Sequence, residues 1–122
     1  MKKLITILVL LMISSCHLGK NGILVEIKNT SGEAIHNVTF SSDDKTKLEI
    51  EQIKPNESVV EFLDMTNNQK GDGAYGLIFE RENGKKEQTG GGYYTNGGSL
   101  DRKVICEIKK DTVLMQFTGP VY

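Results

Sequence analysis

The chain has no tryptophan, and only two prolines, two cysteines and two histidines in 122 residues. Each scarcity excludes something. Without tryptophan, nothing sets sugar-stacking aromatics beside a pair of carboxylates for glycoside hydrolysis. His17, His36, Cys16 and Cys106 offer no spacing that gathers the three or four ligands of a zinc centre, so no metal and no cofactor is expected. A Ser-His-Asp arrangement would depend on His36 as its base, and no nucleophile-elbow motif accompanies it, so no catalytic residue is assigned. With 15 basic and 16 acidic residues, the chain lacks the basic patch of a nucleic-acid binder. Its longest apolar run, Leu4 to Ile13, falls well short of the roughly 18 residues a spanning helix needs. No later segment carries the period of an amphipathic helix.

What is present begins with an address. Lys2 and Lys3 precede the apolar run, broken only by Thr6, and Ile13-Ser14-Ser15-Cys16 follows. A basic start, a short apolar core and small residues before a cut site describe a secretory signal. Those last four residues resemble the lipobox of bacterial lipoproteins, a resemblance that covers the export segment alone. It implies cleavage between Ser15 and Cys16 and a mature N-terminus at Cys16 carrying two or three acyl chains, palmitate among them. The organisation expected is a signal peptide at 1–15, the lipidated cysteine with a short tether at 16–22, and one domain at 23–122. The resemblance also implies the bacterial cell envelope. In a two-membrane bacterium, His17 rather than Asp after the cysteine favours the outer membrane over the inner.

Removing 15 of 122 residues leaves 107, the usual size of one domain. Lys2 and Lys3 leave with the signal, so 13 basic residues face 16 acidic ones, a net charge of −3. Attachment to a membrane then rests on lipid, each buried methylene contributing about 0.8 kcal/mol. The tether from His17 to Gly22 reaches about 20 Å when extended, which keeps the domain close to the bilayer. Cys106 alternates in step with Val104 and Ile108, the pattern of a buried, inert thiol. Its rival reading is a disulfide with Cys16, which an oxidising compartment permits but lipidation would forbid.

Beyond the tether, short alternating runs are punctuated by turn residues, the pattern of an all-β sandwich. Ile23, Val25 and Ile27 mark a first strand and Asn29-Thr30-Ser31-Gly32 a turn. His36, Val38 and Phe40 share a face in the second, with Ile35 out of phase and a bulge expected near the strand's start. A third strand runs through Leu48 and Ile50. Pro55 sits at the first corner of a tight turn, and a fourth strand from Ser58 to Asp64 should turn Val60 and Phe62 inward. Thr66 to Gly73 reads as a polar loop. Tyr75, Leu77 and Phe79 alternate in a fifth strand, joined by the hairpin signal Asn83-Gly84 to a strand over Glu87–Thr95. Asn96-Gly97-Gly98 is another turn, and a last pair sets Val104, Cys106 and Ile108 against Val113, Met115 and Phe117. About seven to eight short antiparallel strands predict an immunoglobulin-like or Greek-key sandwich, with a small barrel as the alternative. The opening segment loosely resembles small immunoglobulin-like envelope domains, a likeness that speaks to fold only.

Candidate chemistry is sparse. His17 reads as linker and His36 as a packed or edge side chain. Asp43, Asp44, Asp64 and Asp72 lie in or beside loops, without the spaced ligand set of a calcium loop. Asn29, Asn37 and Asn56 each open an Asn-x-Ser/Thr triplet, coincidental in a bacterial chain. The stretch Thr89-Gly90-Gly91-Gly92-Tyr93-Tyr94-Thr95-Asn96 has no phosphate-loop ending. Glycines within a strand mark a bulge or a close backbone approach, and adjacent tyrosines point to opposite faces, one to core and one to surface. Tyr93, Tyr94, Thr95 and Asn96 form a candidate binding edge, tyrosine supplying rigid contact area and glycine leaving main chain open to a partner strand. The expectation is a non-enzymatic interaction domain that binds a protein or an envelope polymer and not nucleic acid. The alternatives are an inhibitor or immunity lipoprotein facing an envelope-acting hydrolase or toxin, and, third, a small hydrolase.

Overall fold

A computed structural model describes residues 21–120, and the signal peptide, the Ser15–Cys16 cleavage point and the lipidation expected at Cys16 lie outside them. The described residues form nine strands: β1 (Gly22–Asn29), β2 (Ile35–Ser41), β3 (Lys47–Ile53), β4 (Ser58–Asp64), β5 (Gly73–Glu80), β6 (Lys86–Thr95), β7 (Gly98–Ser99), β8 (Asp101–Ile108) and β9 (Val113–Pro120). They make two separate sheets, ordered β4-β1-β8-β9 and β3-β2-β5-β6-β7, so the architecture is a β-sandwich rather than a closed barrel. No helix among the described residues is long and apolar enough to cross a membrane. The strand beyond the expected number is β7, two residues long. Pairing is antiparallel throughout except between β1 and β8, which run parallel. The chain crosses from β7 to β8 at the end where β1 begins, so both strands leave that end in the same direction.

The core fills the space between the sheets. Ile23, Val25 and Ile27 of β1 point inward beside Val104, Cys106 and Ile108 of β8, and Phe40, Leu77 and Phe79 face them from the second sheet, each 0 or 1% exposed. Fully burying side chains of this kind stabilises by about 1.5–3 kcal/mol each. Tyr75 sits at the aromatic centre. Its ring stacks on Phe40 at 5.6 Å and on Phe117 at 5.7 Å, and meets Tyr94 tilted at 5.6 Å.

Two strands depart from their apolar patterns. In β4, Leu63 is 2% exposed and Val59 packs on the core, while Val60 is 53% exposed. Val60 and Phe62 therefore lie on the outer face, contrary to the pattern taken alone. The register with β1 decides it: Ile23 pairs with Leu63, Val25 with Glu61 and Ile27 with Val59. Paired residues share a face, so the inward set of β1 carries residues 59, 61 and 63 with it. In β2, the pairing with β5 slips by one residue between His36 and Thr39, and Asn37 takes φ 50°. This bulge turns Ile35, Val38 and Phe40 inward and His36 outward, so His36 does not share the face of Val38 and Phe40.

Each end of the sandwich is tied by an asparagine, buried at one end and exposed at the other. At the far end, Asn29 is 0% exposed. Its Nδ2 donates to the carbonyls of Glu33 at 2.7 Å and Ile53 at 2.9 Å, and its Oδ1 accepts from the Ser31 hydroxyl at 2.6 Å. The same end carries the Pro55 turn, where Asn56 at φ 64° and the Glu57 N–H to Lys54 carbonyl bond of 3.1 Å fit a type II turn. At the near end, where the chain enters, Asn21 Nδ2 donates to the carbonyls of Met65 and Gly97, both at 3.0 Å. A buried amide with every hydrogen-bonding group matched fixes loop positions that apolar packing alone leaves open.

Candidate functional site

The residues singled out from the sequence gather at the near end, in the loops 42–46, 65–72 and 96–97 and the last turn of β6. Asp43 accepts main-chain N–H bonds from Lys45 at 2.9 Å, Thr46 at 2.8 Å and Gln69 at 2.7 Å. The Gln69 bond is foremost in holding its carboxyl below the usual aspartate range. Asp64 accepts from the N–H and hydroxyl of Thr66, at 3.0 and 2.5 Å. Asp72 accepts from the Tyr93 hydroxyl at 3.0 Å and from the Asn96 N–H at 3.1 Å. These carboxylates brace turns, each within its own loop or against the neighbouring one. Among the described residues no group of three or more His, Cys, Asp or Glu converges as metal ligands would.

The four residues of the candidate edge take different places. Tyr94 is 6% exposed, its ring in the core and its hydroxyl donating to the Ser42 carbonyl at 2.9 Å. Tyr93 is 49% exposed, and the bond to Asp72 raises its phenol pKa above the ordinary value. Thr95 pairs with Gly98 of β7. Asn96 and Gly97, at φ 50° and 74°, are the two central residues of a type I′ hairpin turn. Of the four, Tyr93 alone presents its ring to solvent.

The glycine run has a packing cause. Across from β6, the pairing slips between Gly73 and Tyr75, and Gly92 sits at φ 71° as the extra residue of a bulge. A Cβ at Gly92 would overlap the Phe117 ring of β9, and one at Gly91 would come within 3.4 Å of Met115 Sδ. Met115 and Phe117 lie directly against bare main chain, which is why both remain only partly buried.

Sequence reasoning missed Arg81, which continues the inward alternation after Tyr75, Leu77 and Phe79. It is 7% exposed, lies over the Phe79 ring at 5.3 Å, and its Nε donates to Glu87 Oε2. Its Nη1 and Nη2 have no hydrogen-bond partner among the described residues. The inward period of the strand was the available signal, outweighed by the habit of placing arginine outside. His36 stands half-exposed with Nε2 3.5 Å from Glu82 Oε1. Cys106 is buried and has no disulfide partner among the described residues, and burial pushes its thiol pKa up to about 12, the setting of an inert side chain. On the outer face of the second sheet, beside the Asn37 bulge, an open groove of ≈ 390 Å³ is lined by Asn37, Thr39, Glu49 and Glu51. Lys47 lies 3.3 Å from Glu49 there.

No protein-family model matches the chain, and no curated protein does. Among solved structures it is similar to the NMR structure of a protein from Eubacterium rectale, with a TM-score of 0.56 and 14% identity. The match covers 86% of this chain and 97% of that one. At that identity the likeness is one of fold, which leaves function to be argued from residues.

Proposed function

We propose that this chain is a lipid-anchored protein of the bacterial cell envelope whose β-sandwich is a non-enzymatic interaction domain for a protein or an envelope polymer. The observation that carries this reading is the run Lys2-Lys3, apolar core, Ile13-Ser14-Ser15-Cys16. Supporting it, β1 begins at Gly22 and Asn21 is already bonded to the loops at Met65 and Gly97. With Asn21 and Gly22 taken up by the fold, the tether from His17 to Lys20 reaches about 14 Å at full extension, which holds the near-end loops toward the bilayer and leaves the flanks and the far end of the sandwich for a partner. Asp43, Asp64 and Asp72, each engaged in bracing a turn, suit a scaffold better than an acid–base pair. In a cell with two membranes the outer membrane is the proposed destination, since His17 follows the cysteine.

The test is metabolic labelling with an alkyne fatty acid, followed by fractionation of wild type and Cys16→Ser. Label on Cys16, with both label and membrane association lost in the variant, is the expected result. An unlabelled wild type, or a Cys16→Ser chain that still sediments with membranes, overturns the anchor.

A further inference from the structure

We infer that the free edge of β6 accepts an extended polypeptide segment of a partner protein, which adds to the second sheet as a further antiparallel or parallel strand. The inference rests on the interaction-domain reading above and names its site and partner chemistry. β7 pairs only with Tyr94 and Thr95, so Lys86 to Tyr93 has β5 on one side and no described strand on the other. The Arg81 N–H to Lys85 carbonyl bond of 2.8 Å sets the phase of this hairpin. In an antiparallel ladder, hydrogen-bonded pairs recur every second residue. Glu87, Thr89 and Gly91 therefore turn their main-chain groups toward Phe79, Leu77 and Tyr75 of β5. Lys86, Gln88 and Gly90 turn theirs outward. Three N–H groups and three carbonyls in a row, spaced for a strand, are chemistry that another extended backbone matches.

The edge carries the devices that normally close one only at its two ends. Lys, inward charge, proline and brevity are the usual protections. Lys86 and Glu87, the latter turned inward onto Arg81, guard one end, but from Gln88 to Tyr93 there is no charge and no proline. The bulge at Gly92 bends only the near end. Beside this edge, Met115 and Phe117 stay partly buried because the facing residues are glycines. An added strand would lay every second side chain toward that apolar row and the others toward Tyr93 and solvent. The segment that fits is thus uncharged on one face, with apolar residues at alternate positions. A second copy of this chain fits less well. Antiparallel pairing of β6 with itself about Gln88 sets Glu87 against Thr89 on the inward face, and so offers the apolar row a carboxylate, a hydroxyl and glycine where apolar side chains are wanted.

The experiment presents the full chain, in detergent micelles, to a phage library of random 12-residue peptides. Synthetic versions of the selected peptides then carry N-methyl groups at every second amide, in either phase. The expected result is an alternating apolar pattern, with binding abolished by methylation in one phase and kept in the other. Gln88→Pro removes an outward N–H while sparing the β5 ladder, a substitution edge strands tolerate. It should weaken binding by roughly tenfold or more, whereas Gln88→Ala should stay within about twofold of wild type. Indifference to methylation in both phases, or loss with Gln88→Ala equal to that with Gln88→Pro, overturns main-chain recognition. So does a wild-type dimer that Gln88→Pro dissociates while no peptide is selected, which would put a second copy on the edge. Crosslinking in the native membrane separates the two levels. A defined partner captured equally by wild type and Gln88→Pro defeats the edge and spares the interaction domain; no partner for either chain defeats both.

Discussion

The two flanks of the sandwich solve the same physical problem in opposite ways. On one flank the edge strands are β3 and β4, studded with Lys47, Glu49, Glu51, Glu61 and Asp64. On the other they are β6 and β9, where Gln88 to Tyr93 and Val113 to Pro120 carry no charge. Unpaired strand edges invite other chains, and charge is the common deterrent. The first flank is protected along its length, whereas on the second β9 is shielded in part by packing against β6, whose own outer edge stays open. A stability constraint accompanies the difference. The bare main chain of Gly91 and Gly92 is the floor on which Met115 and Phe117 rest, so the uncharged flank is also the one where a side chain cannot be added freely.

That comparison can be broken or sharpened by substitution. Gly92→Val should have the largest effect, because it places a β-branched side chain at φ 71° and drives it into the Phe117 ring. Strain and overpacking together should cost about 3 kcal/mol or more, seen as a marked drop in melting temperature by circular dichroism. A melting temperature near wild type would mean that β9 can move off β6, and the account of the glycine run fails. Removing the charges on the other flank, with Glu49→Val and Glu51→Val together, should change stability by no more than about 0.5 kcal/mol. It should instead produce self-association in sedimentation velocity, as the protected edge becomes like the open one. A monomer at every concentration tested would show that charge is not what closes that flank.

The smallest effect concerns the near-end loops. Asp43 has its pKa lowered on folding, chiefly by the Gln69 N–H bond. The sign follows: the bonds contribute above the unfolded value of 3.8 and are lost as pH falls through the lower folded value. Amide signals of Lys45, Thr46 and Gln69 in an NMR titration should therefore move together with one midpoint below 3.8. A shared midpoint above 3.8 would reverse the assignment. Because the group is half-exposed, Asp43→Asn should loosen these loops without unfolding the domain.

Much of the fold was legible because period-two alternation survives burial on one face. The sets Ile23/Val25/Ile27, Tyr75/Leu77/Phe79 and Val104/Cys106/Ile108 read directly as inward rows, Asn83-Gly84 as a hairpin and Asn96-Gly97-Gly98 as a turn. β4 failed for a physical reason: Val59, Val60, Phe62 and Leu63 are apolar on both faces, so the strand fits either way up, and only its ladder with β1 chooses. In β2 the bulge expected from the phase of Ile35 is present, but its place at Asn37, one residue beyond His36, turns His36 outward, and no glycine marked that position. At the candidate edge, the split between Tyr93 and Tyr94 could be anticipated from alternation. Which of the two went inward could not, since the answer lies in the extra residue at Gly92, 25 positions (117 − 92) from the Phe117 ring that requires it. The outward amides of Lys86, Gln88 and Gly90 were equally out of reach, because backbone phase is a property of a pair.

By itself the sequence determined eight of the nine strands, the turns, and the resemblance at its start to a lipoprotein export signal, since each depends on residues near one another in the chain. The tertiary structure decided the pairing of strands into two sheets, the face each ambiguous strand buries, and which edge is left without a neighbour. Those depend on registers between residues far apart, where a slip of one residue exchanges inside for outside.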